Sequence, residues 1–406
     1  MSYRFIRISD YYGDYLRNYY EKFPDNVHLA YKEQYDHLTD HSVDLVNSFS
    51  KYLRNLGVDA MDIVANAEPL QNKWGKEHIG IEKISFENLI FEQIKFYKPN
   101  VIWVDSTKLL NKKWIQKLRN EIPSLKLIAG HICAPYNSTI SDSFSAFDMM
   151  FTCSPCIQKE LSAAGLTTEL VYHSFDHAIL ELLKADTKHF PKTDFVFTGS
   201  LYTGYGLHKS RIEYIEKMVE QGVEISIFGN LETRLNVFLK QSAYHSIHFL
   251  KTVGLSSMIN KIPFLKNKVN YGDEKIHYYS KKLIKRVKPP VFGLEMFKLL
   301  ENSGICFNIH GEIAKKCAGN VRLFEATGMG TCLLTDWKEN LKELFDVDKE
   351  IVTYRSADEC IEKVKWLMSH PDEASKIAKA GQERTLRSHT VEARAADLDR
   401  IFRSKL

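Results

Sequence analysis

Short apolar runs alternate with helically spaced apolar positions along the first half of the chain. The runs fall at residues 3–8, 60–65, 101–104, 125–129, 148–152 and 168–172. Between them, in segments such as 41–56 and 85–97, apolar residues recur three and four positions apart, which is typical of amphipathic helices. Such continuous runs indicate strands buried on both faces, so the pattern predicts a parallel sheet covered by helices on both sides.

A second alternation begins at residue 194, after a polar helical stretch that ends at Pro191. Its apolar runs fall at residues 195–198, 223–228, 305–309 and 331–335. We predict an α/β protein of two doubly wound Rossmann-like domains, residues 1–175 and 194–390, joined by a linker at 176–193. We predict a last helix at residues 391–406, which can cross back to the first domain. Such sheets bind ligands at the carboxyl ends of their strands, so function is expected in a cleft between the facing domains.

The composition excludes several classes of protein. The chain has 406 residues, and its longest stretch without Asp, Glu, Lys or Arg, residues 127–141, is too short to span a bilayer. Charges from Arg4 to Asp10 interrupt any signal-peptide core, so a cytoplasmic location is expected. The net charge of only +4 gives no indication of nucleic-acid binding.

The seven cysteines are scattered between Cys133 and Cys360 and do not form a disulfide framework pattern, so free thiols are expected. Cys153 and Cys156 have the spacing of a redox motif, but without a second such pair we predict a structural role. His, Asp and Glu show no metal-ligand spacing, so neither a metal nor another cofactor is predicted.

The basic residues are concentrated in a predicted insertion at residues 231–288. Between Lys261 and Lys288 there are nine Lys or Arg and two acidic residues. Residues 249–288 are also rich in apolar side chains, and this mixture is typical of segments that lie on an anionic membrane. It also fits a helical insertion that packs on its domain and exposes lysines to water. Peripheral contact with the inner face of a membrane and a purely structural role both stay open.

The segment at residues 318–336, AGNVRLFEATGMGTCLLTD, is the most informative for chemistry. Asn320 can cap the following helix. Arg322 adds a guanidinium group near the helix N-terminus, where it can bind a diphosphate. Glu325 lies one turn further on and can accept hydrogen bonds from both hydroxyls of a ribose. An ordinary capped helix with a surface Arg–Glu pair is the alternative interpretation.

This segment resembles the nucleotide-sugar site of the two-domain GT-B glycosyltransferases of group 1, and more closely that of the CgeB-like subgroup. The resemblance rests on residues 322–326 (RLFEA), Gly330 and residues 333–336 (LLTD), and it continues through Tyr354 and residues 371–387. It implies a GT-B fold in which the second domain holds a nucleoside diphosphate sugar and the first domain binds an acceptor. It also implies that basic side chains and helix N-termini neutralise the diphosphate, rather than a bound metal ion.

Nine residues of the second domain are candidates for binding this donor. The resemblance makes Glu325 the ribose ligand and Arg322 a diphosphate contact. Ser200 stands where many group 1 enzymes have an Arg, so the missing charge is expected from Arg211, with Lys209 as the alternative. The full set is Gly199, Ser200, Arg211, Asn308, His310, Asn320, Arg322, Phe324 and Glu325.

In the first domain, His131 resembles the histidine that group 1 enzymes place at a strand end against the donor sugar, and it is the predicted catalytic residue. A histidine bonded only to loop carbonyls is the alternative. Gly13 and Asp105 follow other strands and are candidates for contacting phosphate or acceptor. Group 1 enzymes often have a glutamate where this chain has Cys317; Glu312 is a nearby carboxylate.

We therefore expect a glycosyltransferase that moves a sugar from a nucleoside diphosphate sugar to a glycan or lipid-linked acceptor, in cell-surface polysaccharide biosynthesis. The resemblance implies hexosyl transfer with retention at the anomeric carbon. Two alternatives stay open. A sugar-nucleotide epimerase or hydrolase on the same fold would consume the donor without an acceptor, whereas a non-catalytic sugar-nucleotide-binding envelope-assembly protein would not consume it.

Overall fold

Two parallel six-stranded sheets form the framework of the molecule. The computed structural model describes residues 2–42, 45–81, 84–134, 136, 138–185, 190–203, 209–265, 276–311 and 314–406. The first sheet has the strand order β2-β1-β3-β4-β5-β6. Its strands are β1 (Arg4–Ser9), β2 (Asp59–Val64), β3 (Val101–Val104), β4 (Leu127–His131), β5 (Met149–Thr152) and β6 (Thr168–Leu170).

The second sheet lies at residues 193–354 and has the order β12-β11-β10-β7-β8-β9. This is the Rossmann order, in which the chain changes direction across the sheet between β7 and β10. The strands are β7 (Thr193–Thr198), β8 (Ser226–Phe228), β9 (Val287–Lys288), β10 (Ser303–Asn308), β11 (Cys332–Asp336) and β12 (Val352–Tyr354). Both sheets are parallel, and the predicted α/β, doubly wound fold class is confirmed.

Helices cover both faces of each sheet. In the first half they are α1 (Gly13–Lys22), α2 (Tyr31–Ser42), α3 (Leu45–Asn55), α4 (Glu68–Ile79), α5 (Phe86–Tyr97), α6 (Lys112–Glu121), α7 (Ser138–Phe144) and α8 (Pro155–Ala163). The others are α9 (Ala178–Ala185), α10 (Lys209–Glu220), α11 (Arg234–Thr252), α12 (Lys281–Arg286), α13 (Gly293–Glu301), α14 (Arg322–Gly328), α15 (Leu341–Leu344), α16 (Ala357–Ser369), α17 (Pro371–Ser388) and α18 (Val391–Lys405). Short 3-10 helices occupy Pro24–His28, Thr107–Leu109 and Ser256–Lys261.

Successive side chains of each strand enter opposite cores, which explains the continuous apolar runs. In β3, Ile102 and Val104 pack into one core of the first sheet, and Val101 and Trp103 pack into the other. The second core is completed by α18, whose Phe402 ring lies 5.3 Å from the ring of Phe5. The C-terminal helix therefore covers the first domain.

Two segments differ from their simplest sequence interpretation. The predicted linker contains α9, whose Ile179 and Leu183 are buried in a core of the second domain. The predicted insertion 231–288 ends in β9, which pairs with β8 and is an edge of the sheet. Two residues were too short a run to be recognised as a strand. Among the described residues, none of the helices has the length and apolar character needed to cross a membrane.

Candidate functional site

The site in the second domain lies where the strand order reverses, at the carboxyl ends of β7 and β10. Arg211 on α10 joins these two ends, because its Nη1 donates to the Ser200 carbonyl at 2.9 Å and its Nη2 to the Ile309 carbonyl at 3.3 Å. Arg211 therefore holds the loop after β7 against the loop after β10. Arg211, which was predicted to supply positive charge for the diphosphate, thus links the ends of two strands.

The glycine loop after β7 is in close contact with the loop after β8. A Cβ atom on Gly229 would lie 2.1 Å from the Gly199 carbonyl oxygen, a distance that no side chain permits. Only glycine at position 229 lets the two loops approach in this way. Ser200 is partly exposed beside them, whereas residues 204–208 of the same loop lie outside the described part of the chain.

Arg322 and Glu325 form an ion pair at the start of α14. Arg322 Nη1 lies 2.9 Å from Glu325 Oε2, and the two side chains are only 15% and 13% exposed. Arg322 Nη2 also lies 3.5 Å from the Thr198 carbonyl at the end of β7. A surface Arg–Glu pair would be largely solvated. This pair is mostly buried and is held at the carboxyl edge of the sheet, where α/β sheets bind ligands.

Asn320 does not cap α14, so that prediction is wrong. The helix begins at Arg322 and has no side-chain cap. The Asn320 amide instead donates to Asn308 Oδ1 at 2.8 Å, and Asn308 Nδ2 donates to Thr335 Oγ1 at 2.8 Å. Since Asn308 is nearly fully buried, its amide is the better placed partner for Asn320. The two asparagines tie the loop before α14 to β10 and β11.

His310 and Asp336 form a buried pair after β10 and β11. Asp336 accepts hydrogen bonds from the His310 backbone N–H at 2.9 Å and from Nδ1 of its ring at 2.6 Å. Burial alone would raise the pKa of Asp336, but the His310 ring and Lys338 outweigh burial and lower it. The carboxylate therefore keeps the proton on Nδ1. The other ring nitrogen, Nε2, is buried and has no hydrogen-bond partner within the described residues.

Phe324 does not face the cleft. Its ring is fully buried in a core of the second domain, 6.1 Å from the ring of Phe345 and 5.2 Å from that of His389. Phe324 anchors α14 between the sheet and α17, whereas the side chains of Arg322 and Glu325 are partly exposed. We therefore exclude Phe324 from the donor-binding set.

The first-domain site is a chain of hydrogen-bonded side chains that come from β1, from the end of β4 and from the residue after β3. Asp105 accepts from Arg7 Nη2 at 2.6 Å and from Nδ1 of His131. Burial alone would raise the pKa of Asp105, but His131 and Arg7 outweigh it and hold the pKa well below its usual range. The ionised carboxylate therefore keeps a proton on His131 Nδ1 and fixes the orientation of the ring.

A cavity of about 250 Å³ opens beside this pair. Its lining includes Trp103, His131, Cys133, Tyr172 and His173. Burial, with the charges of His131 and Arg7, lowers the pKa of His173 to about 4, so this ring is neutral at neutral pH. His131 therefore faces a cavity of the first domain, and its alternative interpretation as a histidine bonded only to loop carbonyls does not fit the Asp105 contact.

Four of the seven cysteines are not free thiols. Cys133 is bonded to Cys153 within the first domain, and Cys156 is bonded to Cys317 across the two domains. The separations of 20 and 161 residues carry no sequence signal, because the strand order alone brings these positions together. The cysteines at 306, 332 and 360 are free and buried.

The two domains meet at both ends of the cleft. At one end, a Cβ atom on Gly319 would lie 2.6 Å from the Cys153 carbonyl oxygen, so the loop before α14 contacts the loop after β5. At the other end, Asp14 accepts from Asn230 Nδ2 at 2.6 Å. Gly13 is the first residue of α1, beside this second contact. Loops of the two domains are thus in direct contact at these two places.

Sequence reasoning missed Arg7, His173 and Asp336. Arg7 carried a signal, because a cation between Ile6 and Ile8 in a buried strand requires a partner. Asp336 ends the LLTD segment and was noticed only as part of that motif. Cys317 is bonded to Cys156, and Glu312 lies outside the described residues, so a carboxylate near the sugar is not assigned.

Residues 258–400 match the family model described as glycosyl transferase-like. Anabaena HepE in complex with UDP-glucose has a TM-score of 0.59 and 11% identity, with 99% of this chain and 100% of that chain covered. A glycosyltransferase from Rickettsia africae ESF-5 has a TM-score of 0.56 and 13% identity, covering 100% and 98%. Sucrose-phosphate synthase from Thermosynechococcus elongatus has a TM-score of 0.55 and 12% identity, covering 99% and 98%. No curated protein matches the sequence.

These similarities define the fold of the protein. The chain has the GT-B fold, with both domains of that fold present. The match to the glycosyl transferase-like family model, residues 258–400, lies mostly in the second domain. The closer resemblance to the CgeB-like subgroup stays a prediction.

Proposed function

We propose that this protein is a glycosyltransferase that moves a sugar from a nucleoside diphosphate sugar to a glycan or lipid-linked acceptor. The observation that carries the proposal is the mostly buried Arg322–Glu325 pair at the carboxyl edge of a Rossmann sheet. The Arg322 cation suits the diphosphate of a nucleoside diphosphate, and the Glu325 carboxylate suits its ribose hydroxyls. Both residues lie within the range that matches the glycosyl transferase-like family model.

The donor would be recognised by three groups of the second domain. Glu325 accepts hydrogen bonds from the ribose hydroxyls, and Arg322 lies against the diphosphate. His310 offers its buried Nε2 for a hydrogen bond to the donor, since Asp336 occupies the opposite ring nitrogen. Arg211 acts indirectly, because it positions the two loops that these groups flank.

Transfer would take place against His131. Asp105 holds the His131 ring in one orientation, which lets the imidazole contact the transferred sugar near the bond that breaks. Arg322 and backbone N–H groups stabilise the departing diphosphate, so no metal is needed on it. The resemblance further implies a hexosyl donor, retention at the anomeric carbon and a role in cell-surface polysaccharide synthesis. The anomeric configuration of the product, read by NMR, tests retention.

Calorimetric titration with UDP, GDP, ADP and dTDP, without added metal, tests the donor site. We expect one of the four nucleotides to bind far more tightly than the others, since a binding site for the base matches the hydrogen-bonding pattern of one base. Sugar nucleotides of that base are then incubated with and without a glycan acceptor.

Consumption that requires the acceptor supports the transferase. Consumption without acceptor favours the epimerase or hydrolase, and tight binding without consumption favours the non-catalytic protein. If none of the four nucleotides binds, the proposed donor site is wrong.

The proposed lipid-linked acceptor is supported by an apolar stripe on α11. The stripe consists of Leu235, Phe238, Leu239 and Phe249, which share one helix face and are 65%, 55%, 41% and 63% exposed. A cavity of about 520 Å³ between α11 and α12 places Arg234 and Lys281 beside its start. Exposed apolar and basic side chains together favour an anionic membrane surface.

The double variant Phe238→Ser/Phe249→Ser should bind anionic phosphatidylglycerol vesicles about 10-fold or more weakly than the wild type. Two phenylalanine rings contribute this much when they enter an apolar phase. Vesicle co-sedimentation measures the effect, with Leu182→Ser as a matched control, because Leu182 is 46% exposed on the helix α9. Equal binding of all three proteins, or no binding by the wild type, would contradict membrane contact through the stripe.

A further inference from the structure

Three side chains with metal-binding atoms converge in the first domain, next to His131. Cys133 follows β4, Cys153 follows β5 and His173 follows β6, so they lie at the carboxyl ends of three neighbouring strands. The two sulfur atoms and a ring nitrogen all lie within 4.8 Å of one another. Within the described part of the chain, these three residues are the group of His, Cys, Asp or Glu side chains that could hold a metal ion.

The donor set and its spacing suit one class of ion. Two sulfurs and one imidazole are the ligands that zinc and related divalent transition metals prefer. Sulfur and nitrogen ligands of one tetrahedral zinc lie about 3.5–3.8 Å apart, given bonds of about 2.3 and 2.0 Å. The three donors therefore need only small side-chain movements to share an ion.

Two neighbouring groups hold the sulfur of Cys133 in place. Its sulfur accepts a hydrogen bond from the Cys153 backbone N–H at 2.8 Å, and His131 Nε2 lies 3.1 Å away. The Cys153 N–H fixes the position of this sulfur, as outer contacts do for the ligands of metal sites. The segment after β6 brings the neighbouring ring of His173 into the same cavity.

We propose that the reduced protein binds one zinc-class divalent metal ion through Cys133, Cys153 and His173. The two cysteines are bonded to each other in the structure, so two equivalents of a thiol must first reduce them to two protein thiols, and the reducing thiol is oxidised to its own disulfide. Metal binding then displaces the two thiol protons, and water completes the coordination.

The bound ion joins the loops after β4, β5 and β6. Because Cys133 contacts His131, the ion would also hold the catalytic ring in place from the side opposite Asp105. The same cysteines are thus either a disulfide or a metal site, depending on the available reductant. The inference does not depend on the sugar-transfer proposal, since metal binding is measured without any sugar nucleotide.

The full chain is reduced with a phosphine, kept free of oxygen and titrated with Co²⁺, whose thiolate complexes absorb strongly in the near ultraviolet. Zn²⁺ is then added to displace the cobalt, and elemental analysis after dialysis gives the stoichiometry. We expect one equivalent per chain for the reduced wild type and none for the oxidised protein. Cys133→Ser, Cys153→Ser and His173→Ala should each weaken metal binding by at least about 100-fold. Loss of a residue that only contacts a ligand weakens metal binding by up to about 100-fold, and loss of a ligand should cost at least as much.

Cys306→Ser is the matched control, because Cys306 is a free buried cysteine in the other domain. It should bind metal like the wild type. Thermal unfolding of the reduced wild type supplies a second readout that needs no variant, since zinc that binds the folded state raises the midpoint. If the reduced protein binds no metal, or if the three variants bind it as the wild type does, these cysteines serve only as a disulfide and the proposal is overturned.

Discussion

Replacing Glu325 by alanine should weaken binding of the preferred nucleoside diphosphate about 100-fold. Hydrogen bonds to a charged group contribute about 1.5–3 kcal/mol each, and the carboxylate can accept from both ribose hydroxyls. The loss should depend on the sugar ring of the nucleotide. The wild type should bind the 2′-deoxy analogue at least about 10-fold more weakly than the ribonucleotide, and Glu325→Ala should lose this preference. Calorimetry with both nucleotides measures it.

Arg322→Ala provides the complementary measurement, because it removes the proposed diphosphate contact and breaks the ion pair with the mostly buried Glu325 carboxylate. Its loss should be similar in size, but the preference for ribose should persist. The losses of the double variant should be less than additive, since the two side chains contact each other. Glu383→Ala, on an exposed part of α17, is the control and should bind normally. A Glu325→Ala protein that still discriminates against the deoxy analogue would show that the carboxylate does not hold the ribose.

His131→Ala should lower kcat for sugar transfer by about 100-fold or more, which is the loss expected when one group that stabilises transition-state charge is removed. The dissociation constant of the nucleotide should change little, because the second domain holds the nucleotide. This split between kcat and binding distinguishes a catalytic role from a structural one. Single-turnover kinetics and calorimetry on the same protein measure the two quantities.

Asp105→Asn should reduce kcat to a similar extent and should also lower the free energy of unfolding by about 3 kcal/mol. The carboxylate orients His131 and neutralises Arg7, whose side chain is only 7% exposed, and an unpaired buried charge is costly. His131→Ala leaves the Arg7–Asp105 pair intact and should unfold close to the wild type. His370→Ala, at an exposed position, is the control for both. Full activity of either variant would exclude this pair from catalysis.

The resemblance through RLFEA and LLTD located a real feature of the structure, the Arg322–Glu325 pair, because residues three apart on a helix are neighbours in any fold that keeps the helix. The same local reasoning was wrong for Asn320. Its residue type is favourable for capping, but Asn308 from a different strand competes for the side chain. Phe324 belongs to the same motif, yet helical geometry turns it toward the core.

The sequence by itself determined the two doubly wound sheets and the position of α14, since apolar periodicity and short motifs are local properties of the chain. The tertiary structure alone decided the first-domain site and the disulfide between the domains. Arg7 and Asp105 are 98 residues apart, and Cys156 and Cys317 are 161 apart. Such partners meet only because strand order and register bring the carboxyl ends of particular strands together. Local periodicity does not encode that order, because any permutation of the same strands would satisfy the same pattern of burial.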